Sequence, residues 1–194
     1  EGVGPEQHSV RHDAVARLDA ANVLGWGAYC AVGLRRPGLT RWKRGGAAEV
    51  VALPALFVDV DDPSAETLAR LQCARPVPSC IVTSGGGYHA YWWLDEPTSD
   101  LTTARLLLRG LATAFDGDRL SVAQSLRVVG SVNTKPSRRN ALCHLIELHD
   151  QRYSINDFIA YLPRSALRPA RQQGQSATSY VPSADLIARV THTL

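Results

Sequence analysis

The stretch SCIVTSGGGYHAYWWL, residues 79–94, decides the fold. Two strand-like apolar runs, SCIVTS and YHAYWWL, flank Gly85, Gly86 and Gly87, and together they predict a β-hairpin. A two-residue turn needs only one or two glycines. Three in a row are an entropic cost, because glycine loses more backbone freedom on folding than any other residue. The extra glycine calls for something that approaches the backbone closely. Successive N–H groups turned into one concavity form a nest suited to phosphate oxygens. In the strand that follows, His89, Tyr91 and Trp93 share one face, and Ala90, Trp92 and Leu94 share the other. A plain glycine-rich turn beside a surface histidine would read the same way, so the function has to come from what surrounds the hairpin.

Upstream, FVDVDD (57–62) ends a buried-looking strand in acid. Asp59 and Asp61 stand two apart and so project from one face. Two carboxylates held together resist ionising unless a positive charge lies between them, and magnesium or manganese is the usual answer. The plainer alternative is a polar strand end. A helix is predicted next, over DDPSAETLARLQ (61–72), with Asp62 as N-cap and Pro63 in the first helical position.

Outward from this centre, SVRHDAVARLDAANVLGW (9–26) predicts a helix stopped by Gly25, and AYCAVGL (28–34) a strand. The loop RRPGLTRWKRGG (35–46) carries five basic residues and Trp42. SDLTTARLLLRGLATAF (99–115) has the strongest helical stripe, and Asp116 and Asp118 follow it. LRVVGSVN (126–133) and ALCHLIEL (141–148) read as strands around the basic turn TKPSRRN, and SINDFIAYL (154–162) opens with a capping box of Ser154 and Asp157. Residues 164–182 lack apolar periodicity and read as a linker, and 183–194 as the start of a further helical segment. The predicted domain is residues 1–163, of α+β class.

The composition, 45% apolar and 20% charged over 194 residues with a net charge of +3, is that of an ordinary globular chain. No run approaches the ~18 apolar residues of a membrane span. With Glu1 first and no methionine, the sequence is expected to be an excerpt of a longer protein. Cys30, Cys73, Cys80 and Cys143 show no metal-ligand spacing, so no zinc is expected, and free thiols suit a reducing compartment. Nineteen of the 21 basic residues are arginine, whose planar fork suits phosphate, although GC-rich coding gives the same bias.

The combination carries more than any part. An acid pair at a strand end, a glycine hairpin with a small-x-His motif (Gly87, Tyr88, His89) and an acid after a hydrophobic helix occur in that order. A segment of the form L-R-x-x-G-[ST]-x-N-x-K follows, matched by Leu126, Arg127, Gly130, Ser131, Asn133 and Lys135. Over roughly residues 25–150 this resembles the archaeo-eukaryotic primase superfamily, and within it the primase-polymerase modules of plasmids, phages and other mobile elements. One departure concerns an arginine and an acid that many relatives carry upstream of the position of Arg127; here Gln124 and Ser121 stand there. Asp118 follows the helix-then-acid order most closely, with Asp116 as the alternative.

The resemblance implies an RRM-like catalytic sheet packed with a second small α/β unit, and an active site in the cleft between them. It implies template-directed nucleotidyl transfer from dNTPs or NTPs on single-stranded DNA, helped by a two-metal magnesium or manganese site. Asp59, Asp61 and Asp118 would hold the metal, with His89 completing the catalytic set. Ser84, Gly86, Gly87, His89, Arg127, Asn133 and Lys135 would bind the nucleotide, the glycines being bare because a triphosphate lies against them. Arg41, Trp42 and Arg44 would track the DNA template, basic groups along its backbone and the indole on a base. A cytoplasmic protein encoded by a prokaryote, plasmid or virus is implied, with a helicase or helical priming domain beyond the linker. Two other classes stay open, a catalytically silent nucleic-acid-binding replication module and a D-x-D glycosyltransferase.

Overall fold

The computed structural model describes residues 12–39 and 45–163. The segment holding Arg41, Trp42 and Arg44, and the expected linker and further helical segment, lie outside the described residues. Among the described residues no helix is long and apolar enough to cross a membrane.

Two long antiparallel strands form the spine, β3 (Val50–Val60) and β5 (Tyr88–Thr98). They belong to a six-stranded sheet ordered β2 (Leu34–Arg35), β3, β5, β4 (Cys80–Thr83), β9 (Leu145–Leu148). The expected hairpin is present: Thr83 pairs with Tyr88 and Val82 with His89. Where β4 ends, β10 (Arg152–Tyr153) takes over the same edge of β5, parallel, opposite Trp93 and Leu94. Pro54 interrupts β3, and the register of β3 against β5 shifts between Leu53 and Ala55, where a residue without an N–H cannot extend the ladder.

The sheet is covered by α3 (Leu101–Phe115), whose apolar stripe includes Leu107, Leu108 and Leu111. Trp92, fully buried, lies 5.8 Å from the Phe115 ring and 6.2 Å from that of Phe158. Its indole N–H donates to the Pro76 carbonyl at 2.8 Å, so the polar edge of this large core residue is satisfied. The smaller α2 (Ala65–Gln72) follows β3.

Two two-stranded ribbons accompany the sheet, β1 (Tyr29–Ala31) with β6 (Ser125–Arg127), and β7 (Val132–Asn133) with β8 (Ala141–Leu142). Asn22, buried in α1 (His12–Val23), grips Val132 at both backbone groups, accepting from its N–H at 2.7 Å and donating to its carbonyl at 3.1 Å. This mixed architecture is the expected α+β class.

Several local expectations are corrected. AYCAVGL is two strands in two sheets, split at Val32 and Gly33, where a Cβ on Gly33 would meet the Val122 carbonyl at 2.4 Å. LRVVGSVN and ALCHLIEL divide likewise, each serving two partners. The N-cap of α2 is Ser64 rather than Asp62, because the Ser64 hydroxyl accepts from the Thr67 N–H at 3.2 Å. Asp62 instead accepts from the Ser64 N–H and from the Ser64 and Thr67 hydroxyls, which keeps its carboxyl below the usual range. The capping box of Ser154 and Asp157 is formed, but on a 3₁₀ segment, Ile155–Tyr161.

Candidate active site

β3 delivers Asp59 to one end of the sheet, Asp61 follows just past the strand's last residue, Val60, and β5 delivers His89 directly opposite Asp59. His89 Nε2 lies 3.4 Å from Asp59 Oδ1. The contact is close enough for an ion pair but lacks hydrogen-bond geometry, and Asp59 Oδ1 is buried with no hydrogen-bond partner. Burial is the main reason the Asp59 carboxyl is pushed up to about 6, and the negative charges of Asp61 and Asp118 add to it. Lys135 and Arg127 act the other way, which places both cations within electrostatic reach of the same carboxylate.

His89 is buried, and this holds its imidazole down at about 4, with Arg127 helping. Its other nitrogen, Nδ1, faces the Tyr91 hydroxyl at 3.5 Å, from the same face of β5. Burial raises the Tyr91 phenol well above its usual value, so it keeps its proton.

The loop after α3 returns the third acid. Asp116 closes that helix in the left-handed conformation, φ 55°, with its N–H on the Ala112 carbonyl. Two residues on, the Asp118 N–H donates to the Asp59 carbonyl at 2.8 Å. Gly117 makes this approach feasible, since a Cβ there would sit 2.7 Å from the Asp59 carbonyl oxygen. Asp118, rather than Asp116, is the acid whose charge is felt at Asp59.

Arg127 enters from the β1–β6 ribbon, buried, with its guanidinium 4.7 Å above the Tyr29 ring and Nη1 unpartnered. A buried donor on Arg127 and a buried acceptor on Asp59 are thus both left without hydrogen-bond partners within electrostatic reach of each other, a costly condition in a folded protein.

Each hairpin glycine has a reason inside the protein itself. Gly85 adopts φ +75°, where side chains are strained. At Gly87 a Cβ would lie 1.9 Å from the Val60 carbonyl oxygen, so the hairpin closes onto the acid-bearing strand only with hydrogen there. Gly86 lies under the Arg138 guanidinium. The close neighbour predicted from the glycines is therefore, first of all, protein. Asn133 is buried, and its amide donates to the Ser84 carbonyl at 2.9 Å and accepts from the Lys135 N–H at 3.2 Å. It ties the glycine hairpin to the basic turn, and Ser84, also buried, is held at that joint. Lys135 is exposed.

The sequence reading missed Tyr29 and Arg138. Tyr29 becomes visible only through its register opposite Arg127. Arg138 stands beside Arg139 in a basic turn, and nothing in the sequence separates the two.

As to a metal, the donor set is hard oxygen from three carboxylates, one of which has a buried oxygen without a hydrogen-bond partner, the chemistry that magnesium or manganese takes. Among the described residues no group of three acidic, histidine or cysteine side chains is already placed to hold a metal ion. An open site, completed by water and phosphate oxygens, is how magnesium is ordinarily held.

The family model of the RepB DNA-primase N-terminal domain matches residues 30–161, about two thirds of the chain. The chain belongs to this family. Three solved structures share its fold. The primase-polymerase (PrimPol) AEP domain of cyanophage S-2L is 20% identical, with a TM-score of 0.59 and 76% of each chain covered. The catalytic domain of primase RepB′ in complex with initiator DNA is 17% identical, TM-score 0.56, with 80% of this chain and 72% of that one covered. A further RepB′ structure is also 17% identical, TM-score 0.55, and this chain covers 48% of it. No curated protein matches the chain. The chain is therefore a primase-family domain of the RepB type, with the AEP fold expected from its motifs.

Proposed function

We propose that this RepB-type domain catalyses metal-dependent, template-directed nucleotidyl transfer from nucleoside triphosphates on single-stranded DNA, as a primase-polymerase of a mobile element. The observation that carries the reading is the pair of buried, unpartnered groups, Asp59 Oδ1 and Arg127 Nη1, at a site that also gathers His89, Asp61 and Asp118. An acceptor that wants a cation beside a donor that wants an anion fits a metal-bound phosphate.

Bound divalent ions would stabilise the charge that develops on the attacking and leaving oxygens. Asp59, Asp61 and Asp118 would hold them. Arg127, preset by its stack on Tyr29, offers a rigid fork to phosphate oxygens, and Lys135 adds a point charge. The Gly86 and Gly87 backbone supplies the nest. His89 is neutral at physiological pH in the free protein and serves as a hydrogen-bond donor rather than a proton carrier. Donation from the protonated Tyr91 hydroxyl to Nδ1 would leave the His89 proton on Nε2, the atom facing Asp59 and the site.

The test is manganese-dependent incorporation of labelled nucleotide on a primed single-stranded template by the wild-type protein and by Asp59→Ala and Asp61→Ala. The wild type should extend the primer and both variants should not. Near-normal synthesis by the variants would end the reading, and a wild type that shifts DNA without synthesis would make this a silent binding module.

A further inference from the structure

Gly86 differs from its two neighbours. Its φ is not in the left-handed region, and the atoms nearest to a Cβ there are side chain rather than backbone. The three nearest atoms all belong to one side chain, Arg138, with Cζ and Nε at 2.5 Å and Nη1 at 2.8 Å. The guanidinium therefore lies flat across the glycine and ends at Asp61, Nη2 to Oδ1, at 3.4 Å.

The base of this arginine is fixed. The Arg138 N–H donates to the Lys135 carbonyl at 2.8 Å, closing the 3₁₀ turn Pro136–Arg138, and Lys135 is tied through Asn133 to Ser84 on the hairpin. Its head is weakly held. One long contact joins side chains that are 29% and 56% exposed, and such surface pairs contribute about 1 kcal/mol or less.

We infer that Arg138 is a phosphate ligand of the incoming nucleotide, held in reserve on Asp61 until a divalent cation takes that carboxylate. This rests on the reading under Proposed function. With a cation on Asp61 the guanidinium loses its partner and is repelled, while its five N–H donors remain over the hairpin nest. A triphosphate reaching the nest meets that fork, and bidentate pairing with phosphate is what arginine does best. The bare Gly86 keeps the path between the two partners clear. Arg138 thereby couples the two ligands: it competes with metal alone and favours metal and nucleotide together.

The test titrates Mn²⁺ alone, read as free ion by electron paramagnetic resonance, and then dATP at saturating Mn²⁺, with wild type, Arg138→Ala, Arg138→Lys and the neighbouring Arg139→Ala. Arg138→Ala should bind Mn²⁺ alone as well as wild type or more tightly. It should bind dATP ten- to a hundredfold more weakly, the worth of a charge-assisted contact, about 1.5–3 kcal/mol. Arg138→Lys should fall between, and Arg139→Ala should match wild type. If Arg138→Ala changes dATP affinity by less than about twofold, or weakens Mn²⁺ alone by tenfold, the inference is wrong while the nucleotidyl-transfer reading stands. If the wild type binds neither probe, both fail together.

Discussion

Asp59 and His89 are directly opposed in the β3–β5 ladder, and their side chains meet at 3.4 Å without forming a hydrogen bond. In the free protein both are pushed toward neutrality, the carboxyl up to about 6 and the imidazole down to about 4. Burial without a proper partner explains both directions.

Replacing Asp59 by asparagine should stabilise the metal-free protein at neutral pH while abolishing synthesis. A carboxyl raised from 3.8 to about 6 binds more protons folded than unfolded, so its contribution is most favourable below 3.8 and is lost as pH rises through about 6. The shift sets an upper bound of about 3 kcal/mol at pH 7, at 1.36 kcal/mol per unit. The difference in unfolding free energy between Asp59→Asn and wild type, from urea denaturation at pH 4.5 and 7.5, should grow with pH. A difference that is flat or reversed would show that Asp59 is not held as a buried, unpaired carboxylate.

His89→Ala should weaken nucleotide binding ten- to a hundredfold, as expected for loss of a donor to a charged acceptor worth about 1.5–3 kcal/mol, and should leave single-stranded DNA affinity unchanged. His89→Gln, which still donates, should fall between. Because the His89 value is lowered, its favourable contribution is present above 6.5 and lost as pH falls through about 4. Imidazole NMR resonances of the ligand-free protein should accordingly show one histidine that does not titrate between pH 5.5 and 7.5, and His89→Ala should remove it. A DNA defect with intact nucleotide affinity would move this residue to the template.

Gly87→Ala should destabilise the fold strongly, since its Cβ would lie 1.9 Å from the Val60 carbonyl oxygen, and overpacking typically costs about 1–3 kcal/mol or more. Gly86→Ala meets the movable end of Arg138 first and should melt close to wild type. Thermal denaturation of the two variants side by side decides. Equal losses would mean that the loop relaxes around either methyl group and that the close packing is not specific.

The hairpin, the acid pair, the histidine and the main helix could be read from FVDVDD, SGGGYH and the leucine stripe because each is a local pattern with a fixed period or spacing. The family followed from their order. What could not be read was who stands behind the glycines. Gly87 against Val60 and Gly86 under Arg138 are contacts made only when distant segments meet, and bare glycine looks the same whether a ligand or a carbonyl approaches it. Asn133 shows the same limit: its amide donates to Ser84 and accepts at Lys135, a tie between distant segments that a polar residue in a basic stretch does not announce. Splitting AYCAVGL between two sheets depends on Val122, nearly ninety residues away in sequence.

Asn22 uses both hydrogen-bonding ends of its amide on the N–H and the carbonyl of Val132, as a neighbouring strand would. A helix side chain thus serves as a one-residue strand on the open side of the β7–β8 ribbon. Such an edge, left free, is a template on which another chain can add itself and begin to aggregate. Asn22 closes it, so the ribbon that carries Asn133 stays two strands wide. The same amide that shapes this corner of the fold also occupies the N–H and carbonyl that another strand would need there.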